Sequence, residues 1–227
     1  MNNSTCVVLC PVAKTIEPET ESGLTELANR GYPVRFLRGG SQVDLVRSAM
    51  ASQALHDGFE ELMWIDSDIR FDPNDVDRLR EHGVPIVAGL YPKKDRNEFA
   101  CQFKGPGPVV FGDGGGLLEM KYVGMGFTLI RRVVFDNVKD DCGLDSCGGG
   151  YDPALKVVPY FIPMVVGNLD GACEYLSEDY SFCCRASVRY TILADTRIKL
   201  GHVHRHVKTW DDFVPRQEFG RVEMTVG

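Results

Sequence analysis

The sequence predicts an α/β domain: a mixed, mostly parallel sheet with helices on both faces and a small antiparallel addition. Three observations predict it. Short apolar runs alternate with helix-period segments over the first ninety residues. After Tyr91 the pattern becomes short strands separated by Gly and Pro turns. The 227 residues, 44% hydrophobic and 25% charged, have ordinary globular composition and suffice for one well-packed domain.

Thr5–Cys10 reads as a buried strand ended by Pro11. Ser22–Arg30 reads as a short helix with Ser22 as N-cap and Gly31 at its end. Pro33–Leu37 is a second strand, followed by a Gly39-Gly40 turn. Val43, Val46, Met50, Ala54 and Leu55 recur at helical spacing between Ser41 and Asp57, and Gly58 closes that segment. Glu61–Ile65 is a third strand, running into Asp66-Ser67-Asp68. Asp72-Pro73 opens a helix whose first-turn acids suit the helix dipole. Val84–Ala88 is a fourth strand, so the order β-α-β-α-β-α-β implies a parallel, Rossmann-like sheet.

Phe99–Phe103, Pro108–Phe111 and Leu117–Val123 read as antiparallel additions. Phe127–Ile130 follows a Gly124-Met-Gly126 kink and leads into a helix over Arg131–Val138. Residues 139–172 are too long for a passive connection and read as a functional or mobile loop. Ser177–Val188 reads as a helix with Ser177 as N-cap. Tyr190–Ala194 is a last strand, before Gly201-His-Val-His204. The whole chain, 1–227, is expected to be one domain: a ligand-binding half over 1–104, a second half over 105–204, and a tail or lid over 205–227.

No apolar stretch approaches the roughly 20 residues needed to span a bilayer, and the N-terminus lacks a basic signal-peptide region. The expectation is a cytoplasmic protein without stable membrane insertion. Eight cysteines without a Cys-x-x-Cys read as reduced thiols, with Cys142 and Cys147 a weak zinc signal. A net charge of −7 argues against general nucleic-acid affinity. The charge is uneven: residues 57–81 hold nine acids and three bases, while 185–208 hold six Arg or Lys, one Asp and three His. Solvated faces explain both. The sharper expectation is an acidic lip that holds a cation and a basic region that faces phosphates.

Asp66 and Asp68 stand at the C-terminal lip of a strand, where ligands of open α/β sheets bind. Paired carboxylates there repel and lose solvation, so they call for a cation, and a hard divalent ion can in turn hold a diphosphate. Asp68 or both acids are candidate ligands for Mn²⁺ or Mg²⁺; His202 and His204 are candidates for a third, with His202 favoured. Glu178 and Asp179, at a helix N-terminus, stay ionised and suit a general base, or simply cap the helix. Arg47, Lys93 and Lys94 are candidate phosphate contacts. An alternative use of such carboxylates is nucleotidyl transfer, although Pro11-Val-Ala-Lys14 lacks that class's glycine cluster. Another is a non-catalytic sugar- or nucleotide-binding module.

Trp64-Ile-Asp-Ser-Asp68, Gly124-Met-Gly-Phe127 with Arg131-Arg132, Ser177-Glu-Asp179 and Gly201-His202 occur in one order. In this the chain resembles the GT-A class of nucleotide-sugar glycosyltransferases over about residues 5–205, especially compact inverting enzymes like those of family 2 and related phage, viral and bacterial proteins. The resemblance implies a GT-A fold and a nucleotide-sugar donor, with UDP-sugars favoured. Pro11, Val12 and Arg47 would contact the nucleoside. Asp66 and Ser67 would lie near the ribose or donor sugar, with Asp68 and His202 on the metal. Gly124–Phe127, Gly126 included, would border the acceptor. Asp179, with Glu178 second, would deprotonate an acceptor hydroxyl on a glycan, small molecule or modified DNA base. The chain lacks the Gln-x-x-Arg-Trp segment of processive enzymes, and a C-terminal His ligand also occurs in retaining ones.

Overall fold

The computed structural model describes residues 2–94, 97–148, 156–167, 171–204, 207–209 and 221–226, with 207–208 and 221–226 as backbone. The chain runs β1 (Cys6–Val12), α1 (Pro18–Asn29), β2 (Val34–Arg38), α2 (Val43–His56), β3 (Glu61–Ile65), β4 (Ile69–Arg70), α3 (Asn74–Glu81) and β5 (Ile86–Gly89). β6 (Cys101–Phe103), β7 (Gly107–Gly112), β8 (Leu117–Val123), β9 (Phe127–Arg131) and α4 (Arg132–Cys142) follow. The last elements are β10 (Met164–Gly167), β11 (Cys173–Leu176), α5 (Glu178–Ala186), β12 (Ile192–Asp195), β13 (Gly201–Val203), β14 (Val207–Lys208) and β15 (Arg221–Val226).

One eight-stranded sheet has the order β2-β1-β3-β9-β5-β12-β8-β6. β1 is parallel to β2 and β3, and β12 to β5, whereas β8 and β9 run against their neighbours. The sheet is therefore mixed but mostly of one direction. Period-two alternation divides the core between its faces. Val7, Leu9, Leu62, Trp64 and Ile130 pack with α2, α4 and α5; Cys6, Val8, Met63, Ile65 and Leu129 pack with α1 and α3.

Several boundaries differ from expectation for identifiable reasons. Pro11 lies inside β1, opposite Leu37, because pairing with β3 stops at Leu9 and its missing N–H leaves no gap there. α1 starts at Pro18, not Ser22: Pro18 supplies a favourable first position, and the fully buried Thr20 donates its hydroxyl to the Ile69 carbonyl at 2.9 Å. The larger difference is β9, an antiparallel strand seated between β3 and β5, where the sequence order implied an uninterrupted parallel sheet. Phe127, Thr128, Leu129 and Ile130 are each at most 1% exposed, so both faces of this strand must be covered.

The long connection over 139–172 is fastened to the core where it is described. Phe161 meets Trp64 edge-on at 5.4 Å and stacks on Phe182 at 4.8 Å. Ser48 and Ser52 of α2 accept the Phe161 and Val158 amides at 3.2 and 3.0 Å. Residues 149–155 and 168–170 of this connection, His206, and most of the 205–227 tail or lid lie outside the described residues. All eight cysteines are free. Among the described residues, no helix is long and apolar enough to cross a membrane.

At the N-terminal edge of the central strands, Glu61 is held by Arg80 Nε at 2.7 Å and Arg131 Nη2 at 3.0 Å. Arg80 also donates to the Tyr32 hydroxyl, the Asn3 side chain and the Asn2 carbonyl. Breaking a buried pair strands the surviving charge, so Arg80→Ala is expected to destabilise the fold by about 3 kcal/mol. Urea unfolding measures this; a loss below about 1 kcal/mol would show that desolvation already cancels the pair.

Candidate active site

Strand periodicity places Asp66 on the face of Trp64, the face covered by α2 and α5. Arg47, on α2, is 3% exposed and extends to that carboxylate, with Nη2 2.9 Å from Oδ1 and 3.1 Å from Oδ2. Its Cζ lies 5.6 Å from the Trp64 ring centroid, within cation–π range. From α5, Glu178 Oε1 approaches Arg47 Nε at 3.7 Å. The buried guanidinium is thus bracketed by two carboxylates from different elements, while Nε and Nη1 make no hydrogen bond among the described residues.

Burial pushes the Asp66 carboxyl above its ordinary range; Arg47 opposes this, and Asp68 and Asp179 add to it. Glu178 is raised by burial and by its neighbour Asp179, again against Arg47. Asp179 itself accepts hydrogen bonds from the Ser177 hydroxyl and, at 2.8 Å, from the Tyr180 amide. Its charge also acts on Asp66, Tyr91 and Arg47. The Ser177-Glu-Asp179 helix start and the Asp66–Asp68 lip therefore share one electrostatic site.

β13 brings in the histidine. It pairs with β4, setting His202 opposite Ile69, and the Val203 amide donates to the Asp68 carbonyl at 2.8 Å. His202 Nε2 then lies 3.5 Å from Asp68 Oδ1, while Nδ1 contacts the Pro92 carbonyl at 2.8 Å. A carbonyl can only accept, so Nδ1 carries hydrogen, and in the neutral ring Nε2 presents a lone pair to the carboxylate. Two acceptors facing one another suit a cation between them, and second-shell bonding of this kind orients imidazole ligands. Carboxylate with imidazole fits Mn²⁺ better than Mg²⁺. Among the described residues, no three His, Cys, Asp or Glu form a cage, so substrate phosphates and water would complete any coordination shell.

Burial acts to raise the Asp68 carboxyl, but hydrogen bonds from His202 in its protonated form and from Lys94 prevail and lower it. Lys94 Nζ is 2.6 Å from Asp68 Oδ2. Lys93 instead pairs with Glu98 at 2.9 Å, and His204, in the bend after β13, is exposed. Pro11, Val12, Leu37, Arg47, Asp66, Ser67 and Asp68 line a cleft of about 220 Å³. Gly126 lies just behind it: its carbonyl accepts the Asp66 amide, and its amide donates to the Tyr91 hydroxyl, both at 3.0 Å. Tyr91 is the site residue that sequence reasoning missed; its signal is an aromatic at a strand's C-terminal lip together with a distant Gly-x-Gly.

A larger cavity of about 590 Å³ opens beside His82, Gly112 and Arg197 but contains none of these groups. The buried Asp195 carboxylate is held by two of the residues lining that cavity, Arg197 and His82. Burial works to raise that carboxyl, yet those bonds hold it at about 2.

Because Arg47 lowers both Asp66 and Glu178, Arg47→Met is expected to raise both pKa values further. Ionisation of the pair would then require higher pH, and the acid limb of any activity that needs them would move upward. Carboxyl titration by NMR checks this; an unchanged or downward-shifted limb would contradict the assigned role of Arg47.

No family model and no curated protein sequence matches the chain. Among solved structures, it is similar to A197 from STIV, with a TM-score of 0.59 at 16% identity over 91% of this chain and 90% of that one. It is also similar to GalNAc-T7 with UDP, GalNAc and Mn²⁺, at TM-score 0.46 and 12% identity, covering 88% of this chain and 37% of that one. S. aureus TarS 1-349 aligns at TM-score 0.39 and 15% identity, over 84% and 58% of the two chains. The likeness to A197 speaks to architecture alone. The chain has a GT-A-like fold, with the Rossmann-like, mixed sheet described above.

Proposed function

We propose that the chain is a metal-dependent glycosyltransferase. It moves a sugar from a nucleoside-diphosphate sugar, UDP-sugars favoured, to a hydroxyl acceptor with inversion. The observation carrying this reading is convergence: Arg47, Asp66 and Asp68 line one cleft, Glu178 of α5 and His202 of β13 contact them, and the Asp179 charge acts on Asp66. A diphosphate site needs cationic and metal-binding groups beside a pocket for the nucleoside, and a positioned base next to it completes acyl- or glycosyl-transfer geometry.

In this reading the cleft lined by Pro11, Val12 and Leu37 takes the nucleoside, and Arg47 keeps Asp66 ionised toward the ribose or sugar. Asp68 and His202 would hold Mn²⁺ or Mg²⁺, with Lys94 beside them; when bound, the ion neutralises charge on the leaving diphosphate. Asp179 accepts the acceptor hydroxyl's proton as its oxygen bonds to the anomeric carbon. The bond from that carbon to the diphosphate breaks, and the nucleoside diphosphate leaves with the electron pair. The Ser177 hydroxyl orients the Asp179 carboxylate for this transfer. Residues 1–104 would form most of the donor half and 105–204 most of the acceptor half.

The test is nucleotide release from UDP-, GDP- and dTDP-sugars, with Mn²⁺ or with EDTA. Release from one class, abolished by EDTA, is expected; neither release nor binding with Mn²⁺ present would sink the proposal. Asp179→Asn should lower transfer about 10²–10⁴-fold while keeping donor affinity. If Glu178→Gln alone does so, the base is misassigned. His202→Ala should abolish metal dependence and His204→Ala should not; the reverse would exchange the two histidines.

A further inference from the structure

Tyr91 follows β5 at the strand's lip and is 7% exposed. A Cβ added at Gly124 or Gly126 would come within 2.5 or 2.6 Å of its hydroxyl oxygen, so both glycines leave room for this phenol. The His202 ring meets Tyr91 edge-on, with centroids 5.4 Å apart at 85°. The phenol oxygen accepts the Gly126 amide, and the Gly126 carbonyl accepts the Asp66 amide. One residue, Gly126, therefore links the hydroxyl to the Asp66 backbone.

The hydroxyl still has its own hydrogen to donate, and no hydrogen bond among the described residues takes it. Burial first, then the charges of Asp66 and Asp179, push its pKa well above 10, so the proton stays on oxygen. A buried hydroxyl hydrogen without an acceptor is costly, and such groups are usually answered by a ligand or water. The neighbouring charges indicate which ligand. Asp66 and Asp179 repel a phosphate oxygen but accept hydrogen bonds from neutral hydroxyls. The transferred sugar must also lie between the Asp68 end and the base.

We propose that the Tyr91 hydroxyl donates a hydrogen bond to an oxygen of the sugar carried by the donor, making Tyr91 a specificity-determining residue. This assignment rests on the glycosyltransferase reading. It separates two parts of one ligand: the nucleoside diphosphate is held without Tyr91, and the sugar is recognised through it. The Gly124-x-Gly126 pair then serves donor-sugar recognition by seating the phenol.

Calorimetric titration of Tyr91→Phe with UDP and with UDP-glucose, both with Mn²⁺, tests this; GDP and GDP-mannose form a second pair. Phe keeps the ring packing and removes the hydroxyl, both its donated hydrogen and its acceptor role for the Gly126 amide. The expected result is UDP affinity within about twofold of wild type and UDP-sugar affinity about tenfold weaker. Retained UDP binding reports an intact fold. Equal weakening of UDP and UDP-glucose, or no weakening of either, overturns the assignment while leaving the glycosyltransferase reading in place. A wild-type protein that binds neither pair overturns both.

Discussion

Burying a guanidinium costs several kcal/mol unless its charge is answered, and Arg47, 3% exposed, stands where α2, β3 and α5 meet. Asp66 and Glu178 answer it from two sides, and the Trp64 ring lies against it. Each of those carboxylates is itself pushed toward neutrality by burial, so the three groups depend on one another. The constraint extends along the chain. Trp64 must pack on Phe161, which fixes the long connection; α5 must begin at Ser177 for Glu178 to reach inward. A charge cluster at the lip thus sets the relative placement of elements more than a hundred residues apart in sequence.

Much of the α/β architecture was legible because strands buried on both faces read as continuous apolar runs, as Glu61–Ile65 and Phe127–Ile130 do. The position of β9 was not. Nothing local in Phe127–Ile130 distinguishes an edge partner from a central one; burial on both faces becomes visible only when Met63 and Val87 are seen to flank Leu129. The start of α1 was missed for a similar reason: Thr20 is fixed by the Ile69 carbonyl, forty-nine positions away. Among the residues gathered at the cleft, whose roles belong to the proposed reading, Asp66, Asp68 and Glu178 were locatable because they follow a strand end or open a helix, and His202 because it follows Gly201 in an extended segment. Tyr91 was not, because its meaning lies in two glycines contributed by another segment.

Charge patterning was informative at lower resolution than it promised. The acidic run over 57–81 suggested a broad anionic lip, yet Asp57 pairs with Arg35, Glu60 with Arg132 and Glu61 with Arg80. What faces the site is Asp66 and Asp68. The basic stretch near the C-terminus behaves likewise: Arg185 donates to the Tyr160 carbonyl, Arg189 binds Asp141 and Arg197 binds Asp195. Runs of like charge were dispersed by the fold into separate pairs, Asp66 with Arg47 and Asp68 with Lys94 among them.

The central antiparallel strand also governs how the sheet can assemble. β2, β1 and β3 pair among themselves, as do β5 and β12, but the two groups share no ladder until β9 enters between them. That closure joins Ile65 to Phe127, sixty-two positions along the chain. In a growing polypeptide that has not yet reached residue 131, the edges of β3 and β5 that will face β9 are still unpaired. Sheet completion is a late, long-range event with the loop-closure entropy that implies. Until then the Asp66 lip, whose amide bonds to Gly126, has no settled geometry.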